Sequence, residues 1–154
     1  MNSCFRVLCL ALAAGVWAPP ALAAETPEPA GMVKTSQGTV SIDRAGQKTP
    51  ASPGTSIFVG DRVRTGADGS VGITLRDDTR LTAGPESTLL ITEFRFNPNT
   101  NEGGLLASLL KGTFSVITGL IAKHSPDNVK FKTPTMTLGI RGTEFLVDVK
   151  GEPD

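Results

Sequence analysis

Short stretches in which apolar and polar residues alternate recur along the chain from Met32 onwards, separated by glycine, proline and other turn-forming residues. The stretches return about every 8–12 residues, a spacing that favours an all-β architecture over alternating strands and helices. In residues 71–75, for example, Val71, Ile73 and Leu75 share one face of a strand. The sequence therefore predicts an all-β fold with many short strands in a solenoid-like or roll-like stack, and a β-sandwich is the alternative.

The residues between these stretches predict where the strands turn back. Glycine and aspartate are the residues that adopt the tight turns of hairpins most readily. The predicted hairpins are residues 32–35 with 39–42 through 36–38, residues 55–59 with 62–64 through Gly60-Asp61, and residues 71–75 with 80–83 through Asp77-Asp78.

The second half of the chain holds the longest predicted strand, residues 88–96. Residues 97–104 form the strongest loop signal, because they combine proline, asparagine and two glycines. Residues 105–110 fit one or two turns of helix as well as a strand, and both alternatives stay open. On the long strand, alternation places one set of side chains on the same face: Leu89, Ile91, Glu93 and Arg95.

The N-terminus has the pattern of a cleavable signal peptide. Arg6 supplies a positive charge, residues 7–16 are apolar, and Ala21-Leu22-Ala23 forms a small-x-small cleavage site. The apolar run is shorter than the roughly 20 residues that span a bilayer, so the segment is not expected to be a membrane anchor. We expect cleavage after Ala23 and a soluble periplasmic or secreted protein. The predicted division is 1–23 signal peptide, 24–31 disordered leader, 32–150 all-β domain and 151–154 tail.

Cleavage after Ala23 changes the composition that matters for folding and binding. Removing 23 residues from 154 leaves 131, without Cys4, Cys9 and Trp17, the only cysteines and the only tryptophan. Arg6 is the only charged residue removed, so the 15 basic and 15 acidic residues become 14 and 15, a net charge of −1. Stability must therefore come from apolar burial without disulfides. A net charge this close to zero argues against a general nucleic-acid binder.

The residue types of the mature chain do not suggest an enzyme. It has no cysteine, and its only histidine, His124, is expected to be exposed in a polar loop. A zinc site needs three or four cysteine or histidine ligands, so no zinc or other cofactor is expected. Asp77 and Asp78 are weak candidates for calcium binding through carboxylate oxygens, but aspartates are commoner as turn residues.

The closing segment, residues 131–149, contains two alternating runs joined through Gly139 and Gly142. Arg141 and Glu144 lie at the corner between the runs. We expect Arg141 to hold this corner through an ion pair or through hydrogen bonds to carbonyl groups. The alternative is that Arg141 and Glu144 contact a partner protein. Gly142 is expected to require glycine if its φ is positive.

Several motifs together resemble the FecR domain, and the resemblance runs from about Met32 to Val149. It depends on the Gly60-Asp61 turn followed by Thr65, on residues 70–81, on residues 110–114, and on a closing segment that begins at Thr133-Pro134. The closing motif is Arg141-Gly142-Thr143-Glu144-Phe145. Asp78-Thr79 stands where the family usually turns on Asp-Gly. The resemblance implies an all-β extracytoplasmic domain that works through protein contacts and without catalysis.

In transmembrane regulators of this family, the domain relays receptor occupancy to a sigma factor bound by an N-terminal cytoplasmic segment. This sequence has neither that cytoplasmic domain nor a spanning helix, so we expect a stand-alone domain. The predicted function is a non-catalytic interaction or signalling module of the cell envelope whose partner is a protein of unknown identity. The alternative is a periplasmic domain that binds a ligand or carbohydrate, with calcium assisting through Asp77 and Asp78.

Overall fold

The computed structural model describes residues 26–151, and the predicted signal peptide and its cleavage site lie outside this range. Most described residues belong to strands, joined by tight turns and by one short helical segment. The strands are β1 (Gly31–Gln37), β2 (Val40–Arg44), β3 (Gln47–Pro50), β4 (Ser56–Ile57), β5 (Arg62–Thr65), β6 (Ser70–Leu75), β7 (Arg80–Ala83), β8 (Thr88–Asn97), β9 (Glu102–Ile117), β10 (Val129–Lys132), β11 (Thr137–Gly139) and β12 (Glu144–Val149). Helix α1 (Leu120–His124) and a 3₁₀ turn (Pro126–Asn128) connect β9 to β10.

The strands form a single curled sheet in the order β3-β2-β5-β8-β9-β7-β6-β1-β4. The sheet is antiparallel along this path and curls into an open half-barrel. The remaining strands are attached beside it, because β10 pairs in parallel with β9, β11 pairs with β10, and β12 pairs with β9. The predicted all-β, roll-like class is therefore confirmed. Within residues 26–151, no helix has the length and apolar character needed to cross a membrane.

Strand β9 holds the two halves of the roll together. Its first half lies between β8 and β10, and its second half lies between β7 and β12. Gly112 marks the change between the halves with a φ of +102°. A side chain at this position would collide with Ser87, so both the conformation and the space require glycine.

The concave side of the roll contains the hydrophobic core. Alternate residues of β2, β5, β6, β7 and β10 point into it, as the predicted alternation of Val71, Ile73 and Leu75 on β6 shows. Phe114 of β9 and Phe131 of β10 are the largest fully buried side chains. The core is otherwise built of aliphatic residues from both halves, and this continuity explains how short strands can form one stable unit without disulfides.

Two of the three predicted hairpins are wrong. β1 pairs with β4 and β6, whereas β2 pairs with β3 and β5, so the turn after β1 leads the chain from one half of the roll to the other. β4 and β5 are likewise unpaired with each other and belong to different halves. Turn residues indicate where the chain changes direction but do not choose the neighbouring strand. The β6–β7 hairpin is confirmed, with Asp78 at a φ of +66°.

The structure decides one open choice and corrects two further predictions. Residues 105–110, for which helix and strand were both open, are strand and belong to β9. A β-bulge at Thr92 shifts the register of β8, so that Phe94, and not Glu93, joins Leu89 and Ile91 in the core. The fold also begins before Met32, because Ala30 is buried and its N–H donates to the Ile57 carbonyl at 2.7 Å. The C-terminal end of the predicted leader is therefore part of the domain.

Candidate functional site

Gly60 and Asp61 form a corner that is held by a buried carboxylate. Asp61 is 1% exposed, and its carboxylate accepts hydrogen bonds from Arg44 Nε at 2.8 Å, Arg44 Nη2 at 2.6 Å and the Phe58 N–H at 2.9 Å. The Arg44 guanidinium also lies 4.4 Å from the centre of the Phe58 ring. The hydrogen bonds that the Arg44 guanidinium donates to the Asp61 carboxylate raise the pKa of Arg44. Gly60 has a φ of +91°, a left-handed conformation that glycine adopts without strain.

Thr65 ties the end of β5 to the turn before β8. Its hydroxyl donates to the Gly84 carbonyl at 2.7 Å and accepts from the Ser87 N–H at 2.8 Å. Thr65 is 8% exposed, and its backbone N–H donates to the Ser87 carbonyl at 2.9 Å. Asp61 and Thr65 therefore lie at opposite ends of β5, where they fix the strand to two different turns.

The corner of the closing motif is held by Thr118, not by Arg141. The Thr118 hydroxyl donates to the Gly142 carbonyl at 2.8 Å, and the Thr118 N–H donates to the Thr143 carbonyl at 2.9 Å. Arg141 and Glu144 are both exposed, and the ion pair formed by Arg141 is with Asp127 at 3.7 Å. The ion pair of Arg141 therefore leads to Asp127, before β10, while the hydrogen bonds of Thr118 hold the corner itself.

Gly142 does not require glycine for its conformation. It is not among the described glycines with positive φ, and a side chain built on it would meet nothing within 4 Å. The sequence prediction that position 142 requires glycine depended on a positive φ, and Gly142 does not have one.

Phe145 and Pro134 are two further motif residues of the closing segment, and they occupy different environments. The Phe145 ring packs edge-to-face on Phe131, with ring centres 5.2 Å apart, and so joins β12 to the core through β10. Pro134 is exposed in the turn between β10 and β11, where the Thr133 N–H donates to the Met136 carbonyl at 2.8 Å. Phe145 therefore packs on the inner face of β12, and the opposite face of this strand points outward.

Asp77 and Asp78 play different parts in the β6–β7 turn. Asp77 is buried, and its carboxylate accepts from the Thr79 N–H at 3.2 Å and from the Thr79 hydroxyl at 2.7 Å. Asp78 is exposed. Among residues 26–151, no three His, Cys, Asp or Glu residues gather into a group that could hold a metal ion. His124 is exposed, as expected, and its Nδ1 lies 3.1 Å from the Leu120 carbonyl oxygen.

Strand β12 is the longest of the strands that pair with one neighbour only within residues 26–151. β3, β4, β11 and β12 each pair with one neighbour only within residues 26–151. β4 has two residues and β11 has three, and β3 ends at a proline, so these edges are short or blunted. β12 has six residues and no proline. It is therefore the edge best able to accept another strand.

The outward face of β12 presents an apolar side chain between two acidic ones. Leu146 is 72% exposed, the most exposed large hydrophobic residue in the described range. Glu144 and Asp148 lie on the same face, one on each side of Leu146, while Val149 is buried on the other face. The sequence motifs do not single out Leu146, although the alternation of β12 places it on one face with Glu144 and Asp148.

The chain was also compared with known proteins. No curated protein matches it, and no solved structure matches it. The family described as FecR protein matches residues 61–154. This match begins at Asp61, the residue whose carboxylate holds the first corner, and includes every strand from β5 to β12. Because the match covers more than half of the chain, the protein belongs to the FecR protein family.

Proposed function

We propose that this protein is a non-catalytic interaction module of the cell envelope, and that it binds a partner protein through the free edge of β12. The FecR family comprises periplasmic signalling and regulatory domains, which supports a role in relaying or scaffolding contacts. The single observation that carries the proposal is the open six-residue edge of β12 with Leu146 exposed at its centre.

Strand addition is the binding mode that suits this edge. A partner strand laid beside β12 would pair with its unpaired backbone groups and would cover Leu146. Affinity in this mode comes from main-chain hydrogen bonds, and specificity comes from the alternate side chains that meet across the new pair. The partner strand should therefore present an apolar residue opposite Leu146.

The charges on β12 select the kind of partner. Glu144 and Asp148 flank Leu146 on the exposed face. A strand with a basic residue on each side of its apolar residue would complement them, because opposite charges that face each other across a strand pair are stabilising. A second copy of this chain would fit poorly: a twofold axis at Leu146 would place Glu144 opposite Asp148 of the other copy, and like charges in this position are destabilising. We therefore expect the partner to be a different protein.

Copurification with matched edge variants tests the proposal. The tagged full-length protein would be expressed in its own host, exported, crosslinked gently and purified from the envelope. We expect Leu146→Lys to lose the partner, because it places a charge where an apolar contact is needed. The control, Thr49→Lys, makes the same kind of change on the exposed edge strand β3 and should keep the partner.

The folded state of both variants would be compared with the wild type by circular dichroism and thermal unfolding. Both positions are exposed, so each variant should unfold within a few degrees of the wild type. Equal recovery of the partner with Leu146→Lys and wild type would refute the role of β12. Recovery of no specific partner by the wild type would count against the interaction role as a whole.

A further inference from the structure

Basic side chains from separate parts of the chain line one groove on the outer surface of the roll. The groove has a volume of about 540 Å³ and lies between β5, β8, β9, the β10–β11 turn and the end of β12. Its lining includes Arg62, Arg64, Lys111 and Lys150, and no acidic residue of the described chain lines it. Four positive charges are therefore concentrated in one groove of a protein whose net charge is close to zero.

The sheet register arranges part of this groove as a row. Arg64 on β5 lies beside Thr88 on β8, and Thr88 lies beside Lys111 on β9. Neighbouring strands are about 4.8 Å apart, so a hydroxyl lies between two cations across three adjacent strands. Val63 and Leu89 point into the core, which leaves Arg64 and Thr88 on the outer face. A cation, a hydroxyl and a second cation in a row form a donor set suited to a compact oxyanion.

The cations of the groove have no carboxylate partner within residues 26–151. Four other arginines of this range form ion pairs with acidic residues, whereas Arg62 and Arg64 form none there. Asp43 on β2 faces Arg62 across the strand pair, but it does not approach within ion-pair distance. The groove thus keeps a positive potential that the described fold does not neutralise.

Lys111 and Lys150 are brought together by close backbone packing. Val149 pairs with Gly112, so Lys150 follows directly beside Lys111. A side chain at Gly151 would collide with the methylene groups of Lys111, so glycine at this position lets the chain lie close against the Lys111 stem. Like charges held side by side repel each other, and an anion between them would relieve the repulsion.

We infer that this groove binds the phosphate group of a soluble ligand. A phosphate carries up to two negative charges and several acceptor oxygens on one compact group, which matches two guanidinium groups, two ammonium groups and the hydroxyls of Thr88 and Thr135. The volume exceeds that of inorganic phosphate and lies within the range of small-molecule sites, so a phosphate ester such as a sugar phosphate fits the space.

Calorimetric titration at low salt tests this inference with the whole exported chain. The chain is not truncated after Lys150, because the acidic residues Glu152 and Asp154 follow it in the sequence and belong to the protein. The probes are inorganic phosphate, glucose 1-phosphate, glucose, citrate and phosphatidylglycerol vesicles. We expect saturable binding of one or both phosphate compounds, weakened by added salt, and no binding of glucose. The compound that binds more tightly shows whether the groove prefers free phosphate or a phosphate ester.

Matched variants connect the binding to the groove. Arg64→Gln and Lys111→Gln should each weaken binding about tenfold or more, the effect of removing one hydrogen bond to a charged group. Arg80→Gln is the control, because Arg80 is exposed on β7, in the other half of the roll. The inference is overturned by the absence of saturable phosphate binding, by equal losses in Arg80→Gln, by citrate binding as tightly as the phosphates, or by binding only to phosphatidylglycerol vesicles.

Discussion

At the scale of single residues, the motifs of this chain act mainly by fixing corners. Asp61, Thr65 and Thr118 each use side-chain hydrogen bonds to hold a strand end against a turn. The positive φ of Gly60 could be predicted, because it depends on a local turn. The partner of Asp61 could not be predicted, because Arg44 lies 17 residues away and on another strand. The part played by Thr118 could not be predicted, because it donates to the Gly142 and Thr143 carbonyls from 24 and 25 residues away.

Asp61→Asn should destabilise the fold. An asparagine cannot accept the two Arg44 hydrogen bonds as an ion pair, and the Phe58 N–H loses a charged acceptor, so we expect a loss of about 1–3 kcal/mol in the free energy of unfolding. Asp78→Asn is the control, because Asp78 is exposed and asparagine tolerates its positive φ. Urea unfolding followed by far-UV circular dichroism measures both variants. Equal midpoints for Asp61→Asn and the wild type would contradict the structural role of the carboxylate.

Gly112→Ala should be far more damaging than Gly142→Ala. Alanine at residue 112 would have to adopt a φ of +102° and would collide with Ser87, so we expect a loss of at least about 2 kcal/mol. Alanine at residue 142 meets open space, and its effect should stay within about 0.5 kcal/mol. Thermal unfolding of the two variants side by side measures the difference. Similar midpoints would show that the change of direction in β9 does not depend on glycine.

At the scale of the strands, periodicity predicts which residues form a strand better than it predicts their faces. The alternation of β6 was sufficient to assign its buried side. In β8 the bulge at Thr92 breaks the alternation, so Glu93 was assigned to the wrong face. In residues 105–110 the run of leucines fits a helix equally well, and only the long-range pairing with β8 and β10 makes it a strand. These features depend on tertiary contacts that a single sequence does not display.

Deleting Thr92 should be tolerated, because Thr92 is the extra residue of the bulge. Ile91 pairs with Ala107 and Glu93 with Leu106, so the deletion leaves a regular ladder with Ile91 and Phe94 still in the core. We expect a loss of about 1 kcal/mol, the value of the hydrogen bond between Thr92 and Ser108.

Deletion of Leu90 is the matched comparison. After this deletion, the strand regains its register at the bulge only if Thr92 moves into the buried position of Ile91. The loss in the free energy of unfolding should therefore exceed that of the Thr92 deletion by about 2 kcal/mol. Urea unfolding of the two deletion variants measures this difference. Unfolding of the Thr92 deletion at a lower urea concentration than the Leu90 deletion would show that Thr92 is not the inserted residue.

At the scale of the whole molecule, the roll carries two candidate surfaces of opposite charge that meet at the end of β12. The β12 edge presents Leu146 between two acidic residues, and the groove near β5 gathers four basic residues. The all-β class and the family could be predicted from the sequence, because they depend on local alternation and on short motifs. The order of the strands could not, because β9 joins the two halves through pairs that are distant in sequence. Both candidate surfaces arise from this order.

Amide hydrogen exchange of the complex with the copurified partner tests the central claim most directly, since it reports the main-chain hydrogen bonds that strand addition would form. The account predicts that partner binding slows exchange in Glu144–Val149 and leaves Gln47–Pro50, the exposed edge strand β3, unchanged. Slower exchange confined to another part of the roll, with β12 exchanging as in the free protein, would contradict binding at this edge.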